Sequence, residues 1–302
     1  TPMILSFFLG TAGTMLGVIA GIWAISGPKG FGEFYYALGG MFTGTYIGGS
    51  TNFNALALHY EVNKEGNVYA AAVAVDNILT ALWMVATLLL PQLLNRYLPR
   101  RIEYNHTAEQ AQQFEKEASA QVSDVETFSP QDLAILVGMG AAGLYVSKQL
   151  AVMIPQVPQI LILTTLALAL AQLPVVQRLR GMKVLAMFFI YLFLAVIGAF
   201  CDIEALLKDG PLAISMMVFV STLIVIHALV IFGIGALLKQ DWDVLSIASQ
   251  ANIGGSASAL ALSKSLNRPD LYLPGILVGA LGNAIGTYCG LFVAEFLKTV
   301  SW

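Results

Sequence analysis

Asp76 sits inside the run "VYAAAVAVDNILTALWMVATLLL" (Val68–Leu90), where it is the only charged side chain. A carboxylate held among apolar groups is costly to keep ionised. Inside a membrane such a group is a functional residue by default, carrying a proton or ligating a cation. Asn77 follows directly, and Thr80, one helical turn on, shares the face of Asp76. With nearby backbone carbonyls these hard oxygens suit Na+, and Asp76 alone suits H+. Asp76 and Asn77 are therefore the candidate sodium site.

The second chemical signal occurs twice. "YIGGSTNFNALAL" (Tyr46–Leu58) and "NIGGSASALALS" (Asn252–Ser263) place a Gly-Gly-Ser in the middle of an apolar segment. In the first, Gly48, Gly49 and Ser50 are followed by Thr51, Asn52 and Asn54. In the second, Gln250 and Asn252 precede Gly254, Gly255 and Ser256, and Ser258 follows. Glycine lets a helix break and lets a ligand approach the backbone. A break at membrane depth survives only where protein, water or ligand takes up the freed N–H and C=O groups. Clustered hydroxyls and carboxamides at both breaks predict a two-sided substrate pocket rather than close helix packing alone. For Gly10, Gly13 and Gly17 in "GTAGTMLG" the expectation is the reverse: small residues for packing.

His227 lies midway along "LAISMMVFVSTLIVIHALVIFGIGALL" (Leu212–Leu238). It is a candidate proton relay, set against the commoner role of a neutral, hydrogen-bonded core histidine. His59, His106 and His227 offer no convincing base for Ser50 or Ser256, so no catalytic residue is assigned and an enzyme is not expected. No cofactor is expected beyond Na+ or H+ as coupling ion.

The elements that must position these residues are membrane helices. The chain has 302 residues, of which 57% are hydrophobic and 11% charged, with a mean hydropathy of +0.75. Soluble proteins carry roughly a quarter charged residues, so much of this surface faces something other than water, and membrane lipid is an expected partner. A net charge of −3 gives no basic footprint for nucleic acid. Cys201 and Cys289 both lie in apolar segments, which argues against a disulfide framework or metal cluster. A bilayer span needs about 20 apolar residues. Full spans are expected at Met3–Ile25, Val68–Leu90, Asp132–Ile154, Val157–Leu173, Val184–Phe200, Leu212–Leu238 and Leu271–Leu297. The glycine-broken segments are Phe34–His59 and Val244–Leu266. The fold class is an all-α polytopic membrane protein. Arg96, Arg100 and Arg101, like Arg178, Arg180 and Lys183, are expected on the cytoplasmic side.

An internal repeat organises the chain. Gly48 and Asn77 are 29 residues apart, as are Gly254 and Asn283. Each half reads span, broken segment, span. Residues 1–94 form the first repeat, 95–130 a polar linker, and 131–302 the second repeat. Three extra spans precede the set in the second half, so a further N-terminal region completing the first repeat is expected. Re-entrant hairpins tipped by the Gly-Gly-Ser motifs would leave five crossings between equivalent points and make the repeats inverted; crossing broken helices are the close alternative. Gly282 stands where the first repeat has Asp76, while Asn283 and Thr287 keep the second side polar.

"GTYIGGSTNFNALA", "AVAVDNILTALW", "SQANIGGSASALALS" and "LPGILVGALGNAIGTYCGL" resemble the bacterial and plastid membrane family catalogued as domain of unknown function 819, over essentially the whole chain. The resemblance implies a place in the cation–proton antiporter and anion-transporter superfamily, with glycine-rich hairpin tips or crossed broken helices. Antiporters of that grouping carry an acidic pair where this chain has Asp76-Asn77, so a two-carboxylate mechanism does not fit. The implied function is a secondary active transporter of the bacterial inner membrane. It would move a small organic anion or amino-acid-like solute with sodium or protons, and relatives imply a homodimer. A passive channel or non-transporting scaffold is the alternative, and an intramembrane enzyme ranks below both.

Overall fold

The computed structural model describes residues 2–100, 108–122, 129–199 and 210–301. Among these residues every regular element is helical, with no strand. The longer helices are α1 (Pro2–Ala24), α2 (Tyr35–Gly48), α3 (Ser50–His59), α4 (Gly66–Tyr97), α5 (Ala108–Val122) and α6 (Pro130–Met153). They continue as α7 (Gln159–Ala171), α8 (Met182–Ala199), α9 (Gly210–Leu237), α10 (Trp242–Ile253), α11 (Gly255–Ser265) and α12 (Tyr272–Thr299). Among the described residues, five stretches are long and apolar enough to cross a bilayer: α1, α4, α6, α9, and Pro269–Thr299, which contains α12.

The chain forms two compact units, Thr1–Val122 with Asp202–Trp302, and Ser123–Cys201. The smaller holds α6, α7 and α8. The span expected at Val157–Leu173 is shorter in the structure: α7 has 13 residues, roughly 20 Å of helix against the ~30 Å of a hydrocarbon core. Pro158 directly before α7 and Pro174 shortly after it confine the helix, since proline cannot supply the N–H an inner turn needs. Within this unit the backbone N–H of Arg180 donates to Asp132 Oδ2 at 3.2 Å. Lys148 is exposed on α6.

The larger unit is built on two helical hairpins, and glycine explains both. Gly49 (φ +84°) and Gly255 (φ +76°) lie in the left-handed region, where a side chain is strained and glycine is not. They are equivalent positions of the repeat. Beyond each, the chain folds back. A Cβ on Gly44 would lie 2.7 Å from Leu56 Cδ1 and 3.2 Å from Asn52 Cβ. In an unbroken helix Gly44 and Leu56 would stand about 18 Å apart. In the second hairpin, Ile247 and Ala259 both meet Gly275 of α12, at 3.0 and 3.5 Å from its Cβ position. The segments 34–59 and 244–266 are thus hairpins rather than straight broken helices.

Several of the helix pairs around the hairpins run antiparallel. Along α1, Gly10, Gly17 and Gly21 face His227, Leu223 and Phe219 of α9 in turn. This is the small-residue contact expected of "GTAGTMLG", backbone against backbone. Along α2, Gly40, Gly44 and Gly48 meet Gly290, Gly286 and Gly282 of α12. Thr14 of α1 bonds Tyr46 of α2, while Ile22 lies beside Gly39. On the other side, Thr87 of α4 reaches Gln250 of α10, and Trp242 Nε1 donates to Leu98 O at 2.8 Å. His227 and Gly235 of α9 face Ser249 and Leu245 of α10.

The two hairpins are fastened at their bases by unlike devices. At the second, Arg268 donates through Nε and Nη2 to both oxygens of Asp270, at 3.0 and 2.8 Å. Its Nη1 reaches Asp241 Oδ2 at 2.8 Å and Asp243 Oδ2 at 3.0 Å. Asp241 also caps α10 by accepting from the Asp243 N–H. Burial alone would lower the Arg268 pKa, but its bonds to Asp270 and Asp241 outweigh that and raise it. At the first, Lys298 pairs with Glu295 at 2.6 Å and lies over the rings of Tyr36 and Tyr60. This second arrangement is largely solvent-exposed.

Candidate functional site

The tips of the two hairpins meet on α12. A Cβ on Gly279 would lie 2.6 Å from the backbone N of Ser256, and one on Gly282 would lie 2.1 Å from the carbonyl oxygen of Ile47. Three residues of helix separate these contacts, about 4.5 Å of rise. Gly282 therefore takes the place of a carboxylate because the first tip occupies the space a side chain would need. That accounts for the unequal pair Asp76 and Gly282.

Asp76 serves the same tip from α4. Its Oδ1 accepts from Thr80 Oγ1 at a long 3.5 Å. Tyr46 Oη, fully buried, lies beside Asp76 and Thr80 without a partner in hydrogen-bond range. Asp76 and Thr80 are half-buried, whereas Asn77 is exposed. Asn77 is thus next to the carboxylate in sequence but turned from the packed side.

The tip residues divide by what they touch. Asn52 is buried, and its Oδ1 accepts from Thr287 Oγ1 at 2.7 Å. Its Nδ2 has no partner. Asn283 is exposed on α12, with its Oδ1 3.7 Å from the Cβ position of Gly49. A Cβ on Gly255 would meet nothing within 4 Å, so of the two left-handed glycines the second has open space beside it and the first has Asn283 in contact. Ser50 and Thr51 are exposed.

Other expected site residues are engaged in packing. Asn54 accepts from the Tyr69 hydroxyl. Asn252 accepts from Thr11 Oγ1 at 3.0 Å and donates to Phe7 O and Ala248 O at 3.1 and 3.0 Å, so it ties α10 to α1. Ser256 donates to Ile276 O at 3.2 Å. Ser258 packs against Gly254, with its Oγ 2.7 Å from the Cβ position of that glycine.

His227 is wholly buried and joins the two hairpins. Its Nδ1 is 3.0 Å from Thr14 Oγ1, and its Nε2 is 2.8 Å from Ser249 Oγ. Thr14 also donates to Tyr46 O, and Trp83 Nε1 donates to Ser249 Oγ, each at 3.0 Å. Indole N–H is donor only, which leaves the Ser249 hydroxyl proton for Nε2. The Thr14 proton goes to the carbonyl, so Nδ1 carries the imidazole hydrogen. Every proton in the chain is then placed with His227 neutral. The Tyr46 carbonyl belongs to the last turn of α2, where helical partners run out, and Thr14 supplies one.

Sequence reasoning passed over Tyr46, Thr14, Ser249, Trp83 and Thr87. Tyr46 carried a signal, since it directly precedes the glycine motif; Thr14 lay hidden in a run read as packing. Among the described residues no cluster of three or more His, Cys, Asp or Glu could hold a metal ion.

The protein is similar to the uncharacterized membrane protein YjcL of Bacillus subtilis (strain 168). The two are 27% identical over 308 residues, spanning 97% of this chain and 75% of that relative. No solved structure matches the chain significantly. The family model described as "Protein of unknown function (DUF819)" matches residues 1–300. With its apolar helices, its two glycine-tipped hairpins and this match over nearly its whole length, the chain belongs to the DUF819 family of membrane proteins.

Proposed function

We propose that this membrane protein is a secondary active transporter of the bacterial inner membrane. It carries a small organic anion or amino-acid-like solute together with Na+ or H+ by alternating access. The observation that carries the reading is the meeting of two glycine tips on one turn of α12, with Asn283 beside Gly49, open space beside Gly255 and Asp76 alongside Tyr46. Broken helices converging at the midplane are how many transporters hold solute and coupling ion.

The repeats are inverted in this reading, and the antiparallel contacts support it. α1 runs opposite to α9, α2 opposite to α1, and α10 opposite to α9. Hence α2 and α10, which are repeat counterparts, run opposite to each other. Because α12 opposes α2 and α4 opposes α10, the counterparts α4 and α12 are opposed as well. Each hairpin packs its first arm on the long helix that closes the other repeat. The tips hold the solute, Asp76 with Thr80 and tip carbonyls holds the coupling ion, and the hairpins are re-entrant.

A thermal-shift screen of metabolites on the purified protein, in sodium and in potassium buffers, tests the reading. A solute whose stabilisation depends on Na+ or on pH, and is lost in Asp76→Asn, is the expected result. A protein that no solute stabilises in either ion would contradict it.

A further inference from the structure

We infer that the solute site at the two tips is a carboxylate site, with the –NH2 groups of Asn52 and Gln250 as its side-chain donors; this deepens the transporter reading and rests on it. The two side chains are set up alike. Asn52 is 4% exposed and Gln250 fully buried. In each, the carboxamide oxygen accepts from a threonine on the long helix packed against that hairpin. Thr287 of α12 donates to Asn52 Oδ1 at 2.7 Å; Thr87 of α4 reaches Gln250 Oε1 at 3.2 Å, its hydroxyl shared with Trp83 O and Met84 O at 3.0 Å each. In each, the nitrogen has no partner. Both nitrogens are laid against a tip glycine: a Cβ on Gly48 would lie 2.4 Å from Asn52 Nδ2, and one on Gly254 would lie 2.3 Å from Gln250 Nε2. Thr287 and Thr87 are not repeat counterparts, so the arrangement is built twice from different positions. Buried N–H donors are almost always satisfied, and an orphan laid against a tip glycine in each hairpin calls for an acceptor brought to the tips.

The acceptor's class follows from the surroundings. The ten-residue helix α3 starts at Gly49 without a side-chain cap, and Ser50 and Thr51 are exposed. Their N–H groups, with the partial positive charge of a helix start, suit an anion. No Lys or Arg lies in residues 44–56 or 248–262, so no fixed positive charge balances a phosphate or sulfate dianion. A carboxylate carries a single charge and has two oxygens that accept from several N–H donors at once. A cation held at Asp76 supplies the remaining attraction, which is the basis of coupling. The –NH2 groups are shut from solvent, so access by a solute requires a hairpin to move.

The test titrates the purified protein in nanodiscs with acetate, propionate and succinate, against acetamide, propionamide and succinamide, and against inorganic phosphate. Each is measured in sodium and in potassium by thermal shift and calorimetry. A carboxylate should bind and its amide partner should not. Asn52→Asp, which replaces the donor by a like charge, should weaken binding by about 10- to 100-fold, the range for a hydrogen bond to a charged group. Should Asn52→Asp fail to fold, Gln250→Glu carries the same expectation. Amide binding as tight as carboxylate binding, or wild-type carboxylate affinity in a folded Asn52→Asp or Gln250→Glu protein, would overturn the inference. Ion-driven accumulation of a neutral solute alone would overturn it while leaving the transporter reading intact. Absence of binding and accumulation of any solute would overturn both.

Discussion

Gly282→Ala is the substitution that probes the meeting of the tips most sharply. At an ordinary helix position, Gly→Ala gains about 1 kcal/mol of helix propensity. Gly282 is not ordinary, because the added Cβ would lie 2.1 Å from the Ile47 carbonyl oxygen, whereas ordinary contact begins at 3.4 Å. The shortfall of 1.3 Å (3.4 − 2.1) falls on backbone, which has no rotamer to escape into. Overpacking of this kind costs about 1–3 kcal/mol, and more where nothing yields. The net effect is a destabilised contact, a first hairpin displaced from α12, or both. Gly233→Ala on α9 is the control, since its Cβ would meet nothing within 4 Å. Thermal melts in detergent should place Gly282→Ala several degrees below wild type and Gly233→Ala at or above it. Cysteine accessibility at Ile47, buried in the wild type and introduced as Ile47→Cys, should rise in the Gly282→Ala background. If Gly282→Ala melts with Gly233→Ala and leaves accessibility unchanged, the packing of the tip on α12 described above is wrong.

Asp76→Asn should abolish ion-coupled uptake while the purified protein melts as wild type; persistent coupling would remove the carboxylate from its role. His227→Ala strips the partner of Thr14 and of Ser249 and leaves a cavity, so a loss of about 2–4 kcal/mol is expected, read as a lower melting temperature. Arg268→Ala leaves Asp241 and Asp243 buried without their shared cation and should cost about 3–5 kcal/mol. The exposed Lys298–Glu295 pair should cost less than about 1 kcal/mol on Lys298→Ala. Comparing those two melts tests whether the hairpin bases differ in strength as their burial implies.

Much of this architecture was legible in the sequence because charge is so sparse in the apolar runs that each instance stands out, and because the Gly-Gly-Ser motif recurs among hydroxyls and carboxamides. The two Gly-Gly-Ser motifs marked the breaks, and Gly49 and Gly255 take the positive φ such breaks require. Asp76 stood alone in its span. The 13-residue α7 was harder to foresee: hydropathy over Val157–Leu173 is continuous, and only the flanking prolines hint at the shortening. Tertiary partners were illegible for a plainer reason. Thr14 and Thr87 look like ordinary helix threonines, and their pairing with Tyr46 and Gln250 depends on which helices become neighbours. Asn252 shows the converse, since its motif suggested a ligand contact while its amide holds α10 to the Phe7 carbonyl of α1.

The most direct test of coupled transport is uptake into proteoliposomes carrying an imposed sodium or proton gradient. The labelled solute is the one that stabilises the purified protein. Accumulation inside above the external concentration, collapsed by an ionophore and absent with Asp76→Asn, is the expected result. Simple equilibration of the solute across the vesicle membrane, indifferent to the gradient and to Asp76, would mark a passive pore and contradict the account.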